Sequence, residues 1–131
     1  MKKRLKYKIS GREKPSRKEL DALSREACYA RDGHRSVLSG RAENLNPCHI
    51  YPKGRYTRMR WDIDNLITLT WNEHLNWWHK NPIEASAWFK EKYPERAKYL
   101  KLRVQVQDKS KQDFNMEKLY LKDLIAKYEN Q

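Results

Sequence analysis

Three histidines and an asparagine, at His49, Asn65, His74 and His79, lie in the middle of the chain. A neutral imidazole can take a proton from water near pH 7, and it can also bind a divalent metal ion. A carboxamide does not titrate in this range, but it can hydrogen-bond the backbone and hold a loop in place. These residue types suit a hydrolysis by an activated water beside a metal ion.

The surrounding sequence predicts the strands and the helix that must position these side chains. The β-rich segment from His49 to Thr70 favours a strand ending at His49, a polar loop, and a second strand over 66–69. A helix is expected to follow from about Asn72 to Lys80. It would carry both His74 and His79.

The order of three residues along a strand, loop, strand and helix resembles the pattern of the HNH (ββα-metal) nucleases. These residues are His49, Asn65 and His74. The nine-residue interval from Asn65 to His74 and the text Asp64-Asn65-Leu66-Ile67 are similar to the pattern of that family. The resemblance covers about residues 31–79. It implies an α+β fold with a treble-clef-like HNH core, flanking α-helices and a basic N-terminal arm. We expect the arm at 1–15, the nuclease domain with its helices at 16–107, and a linker and C-terminal helix at 108–131.

The resemblance also implies roles for the residues. His49 would be the general base, Asn65 would fix the loop that orients it, and His74 would hold one Mg²⁺, Mn²⁺ or Zn²⁺ ion. The chain would then be a metal-dependent DNA endonuclease. Arg60-Trp61-Asp62 and the text Trp-His-x-Asn-Pro, ending at Pro82, resemble phage recombination nucleases of the NinG/Rap and Ref kind, which implies phage DNA recombination or processing.

Two positions depart from the family pattern. Cys48 stands where many members carry Asp or His as a metal ligand, and it is either a soft ligand or a packed thiol, of which we favour the second. His79 follows His74 by five positions, which places the two about 140° apart around an ideal α-helix. Both can hold one ion only if the helix bends or ends between them.

A structural zinc site found in many HNH domains has no matching ligands here. The four positions expected to carry cysteines hold Ser36, Ser39, Thr70 and Glu73. Hydroxyl groups do not hold structural Zn²⁺, so we expect no structural zinc. Hydrogen bonds and tryptophan packing would then maintain the treble-clef shape.

The formal net charge of +12 indicates a polyanionic partner, and the charge is unevenly distributed. Residues 1–18 contain nine basic side chains and one acid, an arm that suits phosphate contact or is merely a solubilising tail. A second basic cluster is interleaved with aromatic residues, a pattern typical of nucleic-acid binding. We expect DNA as the partner, with contacts from Lys2, Lys3, Arg4, Lys53, Arg55, Arg58 and Arg60.

The remaining helices are predicted from capping and periodicity. Ser16 and Glu19 predict a helix from Arg17 to about Arg31. Prolines predict helix starts at Pro82 and Pro94, the first helix ending near Lys92 and the second reaching Arg103 or beyond. The inward residues expected in the first of these are Ile83, Ala87 and Trp88. A last helix over 115–128 would align Met116, Leu119, Tyr120, Leu124 and Tyr128, as a core helix, a dimerisation helix or an arm. The five tryptophans are expected in the core.

Composition excludes a membrane-spanning segment, because no apolar run approaches about 18 residues. The N-terminal text lacks the apolar stretch of a secretory leader, so we expect the cytoplasm of a bacterium or a phage-infected host. The oligomeric state is not readable from the sequence. The rival hypothesis is a non-catalytic DNA-binding module on a degenerate HNH fold. The missing zinc ligands and Cys48 favour that rival, and the set of His49, Asn65 and His74 favours the enzyme.

Overall fold

The computed structural model describes residues 14–106 and 110–131, and these form an α+β fold with one antiparallel pair of strands. A short 3₁₀ turn, Thr57–Met59, lies in the loop between the strands, and a second, Ile63–Asn65, leads into the second strand. The larger elements are α1 (Arg17–Arg31), β1 (Leu45–His49), β2 (Leu66–Thr70), α2 (Trp71–Glu73), a π-helix (His74–Trp78), α3 (Pro82–Lys92), α4 (Pro94–Gln105) and α5 (Phe114–Glu129).

Helix α1 begins and ends as its sequence predicts. The Ser16 hydroxyl accepts a hydrogen bond from the Glu19 backbone N–H at 3.0 Å, which caps the first turn. After Asp32 the chain turns at Gly33, which has a φ of 73°. The Arg31 guanidinium then donates to the Leu66 carbonyl at 2.6 Å, so the end of α1 is fastened to the start of β2.

The two strands pair from Leu45 opposite Thr70 to His49 opposite Leu66. All five residues of β2 are buried, because this strand is covered on both faces. On one face Thr68 contacts the Cys28 thiol of α1 at 3.3 Å. On the other face the strand packs against α3 and α4. This layering fixes the end of β1, where His49 lies.

Two apolar clusters form the core. One lies between α1 and α5 and includes Trp61 and Ile63 from the segment just before β2. The other lies between the sheet and the α3–α4 pair and is built from Cys48, Met59, Ile67, Leu69, Phe89 and Leu100. The loop between the strands therefore contributes to both clusters.

The predicted start of α3 at Pro82 and its end at Lys92 are confirmed, but the inward face differs from the prediction. Ala85 and Phe89 are buried, whereas Ile83 is 87% exposed. Ala87 is also exposed, and Trp88 is half-buried. Phe89 offers a larger apolar surface than Ala87, so burying Phe89 against the sheet decides how the helix is rotated.

Helix α5 is a core helix, since it packs against α1 along its length. The buried residues are Leu121 and Ile125, with Leu124 and Tyr128 packed beside them. Three residues predicted for the same face are exposed: Met116 by 59%, Leu119 by 57% and Tyr120 by 38%. The helix carries two apolar stripes, and the contact with α1 selects the one centred on Leu121.

The tryptophans do not all lie in the core, contrary to the prediction. Trp61 is buried, but Trp71 is 56% exposed. Trp71 opens α2 at the end of β2, where its backbone N–H donates to the Asn44 carbonyl at 2.7 Å and its ring faces outward. Trp77, Trp78 and Trp88 are half-buried beside the second cluster. Among the described residues, no helix combines the length and apolar character needed to cross a bilayer.

Candidate active site

His49 ends β1 with its imidazole anchored at one nitrogen. Its Nε2 lies 2.9 Å from the carbonyl oxygen of Arg60. A carbonyl can only accept, so the hydrogen bond requires the proton on Nε2 and leaves the lone pair on Nδ1. This is the tautomer that can receive a proton from water at Nδ1.

Burial also keeps His49 uncharged. It lowers the pKa of His49, and the hydrogen bond to the Arg60 carbonyl opposes this shift without cancelling it. The nearby Lys53 ammonium lowers the pKa further. The imidazole is therefore neutral at pH 7, as a general base must be.

Asn65 is fully buried and clamps the loop that begins just after His49. Its Oδ1 accepts from the Tyr51 backbone N–H at 2.8 Å. Its Nδ2 donates to the carbonyls of Tyr51, at 3.0 Å, and Met59, at 3.1 Å. These bonds join both ends of the loop to the start of β2, so Asn65 acts on the loop backbone and does not line the cavity beside His49.

His74 and His79 are brought together by the π-helix. The His79 backbone N–H bonds to the His74 carbonyl at 3.2 Å, five residues back instead of four. In a π-helix, two residues that are five positions apart are therefore separated by about one turn and lie on the same face. The two Nε2 atoms are 3.0 Å apart. This is the bend that the i, i+5 spacing required for a shared ion.

A further side chain orients His74. The Nδ1 of His74 lies 2.7 Å from Oδ1 of Asn46, an amide oxygen that can only accept. The proton is then on Nδ1, and the Nε2 lone pair of His74 faces His79. Burial, followed by the neighbouring imidazoles of His79 and His49, lowers the pKa of His74 to about 4. His74 is therefore neutral at pH 7 and able to bind a cation.

His49, His74 and His79 line one cavity of about 860 Å³. Its walls are the end of β1, the π-helix, α3 and α4. Three lysines also line it, each from a different element: Lys53, Lys90 and Lys101. The combination of imidazoles and ammonium groups suits a phosphate-bearing ligand.

Among the described ranges, 14–106 and 110–131, no set of three His, Cys, Asp or Glu side chains converges as a metal site. Cys48 does not join the histidines, because its thiol is fully buried in the second core cluster. Burial raises the pKa of Cys48 far above its usual range, so the thiol stays protonated. This is the environment of the packed thiol that the sequence favoured.

The basic side chains of the loop have different surroundings. Lys53 lines the cavity, and Arg55 is exposed with its guanidinium over the Tyr56 ring at 5.4 Å. The other two contact the protein: Arg58 donates to the Ser110 carbonyl at 2.7 Å, and Arg60 pairs with Asp21. Lys53 and Arg55 are thus the loop cations best placed to meet phosphate. The expected arm contacts at Lys2, Lys3 and Arg4 lie outside the described residues.

Ser36, Ser39, Thr70 and Glu73, the four positions at which HNH domains with a structural zinc carry its ligands, form a knuckle that is joined by hydrogen bonds. The Ser36 hydroxyl donates to Glu73 Oε1 at 2.5 Å, and the Thr70 backbone N–H donates to the same oxygen at 2.9 Å. Burial would raise the pKa of Glu73, but hydrogen bonds from Ser36, Ser39 and Thr70 outweigh it and the pKa is lowered. A charged carboxylate thus stands at the centre of the knuckle.

Three features of the site escaped prediction from the sequence. Asn46 lies in a segment whose sequence predicts a turn and a short strand, and no feature of that sequence indicates a contact with His74. Lys90 and Lys101 reach the cavity only because α3 and α4 fold over it. The fixed interval between His74 and His79 was the available signal for the π-helix.

Compared with known proteins, the chain matches no protein-family model, no curated protein and no solved structure. What this site does must therefore be inferred from its own residues and geometry.

Proposed function

We propose that this protein is a metal-dependent DNA endonuclease of HNH type that hydrolyses phosphodiester bonds. One observation carries the proposal. His49, with its basic Nδ1, shares a cavity with the His74–His79 pair, whose Nε2 atoms are 3.0 Å apart. A proton acceptor and a pair of imidazoles that can bind a cation thereby lie in the same cavity.

His49 is the general base of this proposal. A water molecule in the cavity gives its proton to Nδ1 while its oxygen attacks the phosphorus. The bond from phosphorus to the 3′ oxygen breaks, and this oxygen takes a proton from a second water molecule as it leaves. The products carry a 5′-phosphate and a 3′-hydroxyl, as the HNH resemblance implies. The Arg60 carbonyl steadies the imidazolium that forms, because it already accepts the Nε2 proton.

The histidine pair fits one divalent ion. The His74 and His79 Nε2 atoms, 3.0 Å apart, are close enough for both to hold one ion at metal–nitrogen distances of about 2.1 Å. With two protein ligands, water and substrate oxygens would complete the coordination. When bound there, the ion would stabilise negative charge on the scissile phosphate and the leaving oxygen. Imidazole ligands suit Zn²⁺ as well as Mn²⁺.

DNA is the substrate that the charge distribution favours. Lys53, Lys90 and Lys101 approach the cavity from three elements and would neutralise phosphates on either side of the scissile bond. The net charge of +12 adds a long-range attraction that falls with salt. Phage DNA recombination or processing is the setting that the NinG/Rap-like and Ref-like resemblance implies.

The second candidate is a non-catalytic DNA-binding module on the same framework. It is favoured by the absence, in the part of the chain that the structure describes, of any three-residue metal set. A binder would keep the basic surface, but it would not need a base whose tautomer is fixed.

A plasmid assay separates the two candidates. Supercoiled DNA is incubated with the full chain in Mg²⁺, in Mn²⁺ and in EDTA, and nicked and linear products are measured. The enzyme nicks DNA with added metal and is silent in EDTA. His74→Ala with His79→Ala should abolish nicking while gel-shift binding persists. Binding without nicking under every metal condition would support the rival.

A further inference from the structure

The Asp21 carboxylate on α1 is bonded to the same segment that holds His49. Its two oxygens accept from Arg60 Nε at 2.8 Å and from a terminal guanidinium nitrogen of Arg60 at 2.6 Å. The Trp61 indole N–H donates to Asp21 at 2.8 Å. One carboxylate therefore fastens two consecutive side chains of the loop to α1.

The backbone N–H groups of Arg60 and Asp62 make only long hydrogen bonds. Arg60 ends a 3₁₀ turn through a long bond from its N–H to the Thr57 carbonyl, at 3.3 Å, and the next such bond, from Asp62 to Met59, is 3.4 Å. Bonds of this length constrain a peptide plane poorly. Charge-assisted bonds to a carboxylate are shorter and stronger. Asn65 and Arg103 hold the carbonyls of the two preceding residues, whereas Arg60 itself is held by the two bonds from its guanidinium to Asp21.

We propose that Asp21 is a positioning residue which, through Arg60, holds the carbonyl that keeps His49 in the tautomer with a basic Nδ1. The catalytic consequence rests on the proposed nuclease function, whereas the tautomer itself can be measured without any activity. The chain of contacts runs from the Asp21 carboxylate to the Arg60 guanidinium, and from the Arg60 carbonyl to His49 Nε2.

The protein offers a matched control on the same helix. Glu19 is paired with Lys118 of α5 at 2.8 Å and is partly exposed, as Asp21 is, with 42% and 34% of their side chains accessible. Within the described residues, the Glu19 side chain makes no hydrogen bond or ion pair with the loop that follows His49. Glu19→Gln therefore removes a comparable ion pair from α1 without touching the path to the imidazole.

The test compares Asp21→Ala, Asp21→Asn and Asp21→Glu with Glu19→Gln in the full chain. Two-dimensional NMR of the ¹⁵N-labelled imidazoles reports the His49 tautomer. We expect a pure Nε2–H form in the wild type and in Glu19→Gln, and a mixture in Asp21→Ala. Steady-state cleavage should show kcat lowered about 10-fold or more with KM nearly unchanged, since geometry and not substrate binding is lost. Asp21→Glu should recover part of both signals.

If Asp21→Ala does not fold, Asp21→Asn gives the same comparison, because it keeps an oxygen for Trp61 and loses the charge that holds Arg60. An unchanged His49 tautomer in both variants would overturn the proposal. Equal losses in the Asp21 and Glu19 variants would also overturn it, since they would reflect general helix stability. Absence of cleavage by the wild type would count against the nuclease function alone, and the tautomer would still decide the role of Asp21.

Discussion

The Nε2 atoms of His74 and His79 lie 3.0 Å apart, although five positions separate the two residues. In a regular α-helix they would be about 140° apart around the axis. One π-helical turn, closed by the bond from His79 N–H to the His74 carbonyl, removes this offset. π-Turns within helices are frequent at functional sites, and here the turn brings two imidazole nitrogens together.

Replacing His79 should therefore weaken metal binding. We expect His79→Ala to lower the affinity for Mn²⁺ or Zn²⁺ by at least about 10-fold, because loss of a ligand should cost no less than loss of an outer partner. Isothermal titration calorimetry measures this directly. His34→Ala is the control, since His34 is exposed and lies outside the cavity. Equal affinities in the wild type and His79→Ala would show that the pair does not hold the ion.

The knuckle of Ser36, Ser39, Thr70 and Glu73 should stabilise the fold through hydrogen bonds alone. Ser36→Ala removes the donor that faces the Glu73 carboxylate, and we expect the free energy of unfolding to fall by about 1–3 kcal/mol. Urea denaturation provides the value. The exposed Ser86→Ala should change it by less than about 0.5 kcal/mol.

Because hydrogen bonds hold this knuckle together, chelation of metal ions should not change the stability of the fold. A structural zinc site would collapse in EDTA, whereas an ion at His74 contributes only through mass action. We expect the melting temperature of protein purified without added metal to be nearly the same with and without EDTA. A large decrease of the melting temperature in EDTA would contradict the hydrogen-bonded knuckle if one zinc ion is released with it. The same zinc ion should then also be present in the His74→Ala variant.

Stability should fall as the solution is acidified through the histidine range. The folded pKa of His49 and of His74 lies below the value of about 6.5 expected in the unfolded chain. Below about pH 6.5 the unfolded state therefore binds more protons, and the stability contributed by these groups is lost progressively towards pH 4. His74→Asn should flatten the curve of unfolding free energy against pH between about 5 and 7. Identical curves for the wild type and His74→Asn would disprove the assignment.

The basic arm should supply affinity and not chemistry. Each phosphate neutralised on duplex DNA contributes about −0.9 to the slope of log K against log salt. Deleting residues 1–13, which keeps the contact of Lys14 with the Phe114 ring, should reduce that slope by several units. Fluorescence anisotropy at several salt concentrations measures it. If the slope is unchanged, the arm is a solubilising tail.

Local signals in the sequence predicted where the helices begin, but they did not predict how the helices are rotated. The Ser16 cap and the prolines at 82 and 94 act within one turn, so they can be read directly. The buried faces of α3 and α5 depend on the partners each helix meets. Ile83 and Leu119 are exposed because Phe89 and Leu121 make the better contacts.

For the candidate site, too, the sequence predicted the elements that carry the residues but not the contacts between their side chains. The order of His49, Asn65 and His74 along the chain predicted the strand, loop and helix that carry them. A π-turn depends on a single inserted residue, which has no propensity signature, so the closeness of His74 and His79 was not predictable. The contact of Asp21 with Arg60 joins residues 39 positions apart and depends on the docking of α1.

The most direct test of the account is the rate at which His49→Ala cleaves supercoiled plasmid in Mn²⁺, measured beside the wild type and His34→Ala. A general base contributes about 10²–10⁴-fold, so we predict a loss of that size in His49→Ala. DNA binding in a gel shift should be retained, and His34→Ala should cleave at the wild-type rate. Cleavage by His49→Ala at the wild-type rate would contradict the assignment of His49 as the base on which the proposed mechanism depends.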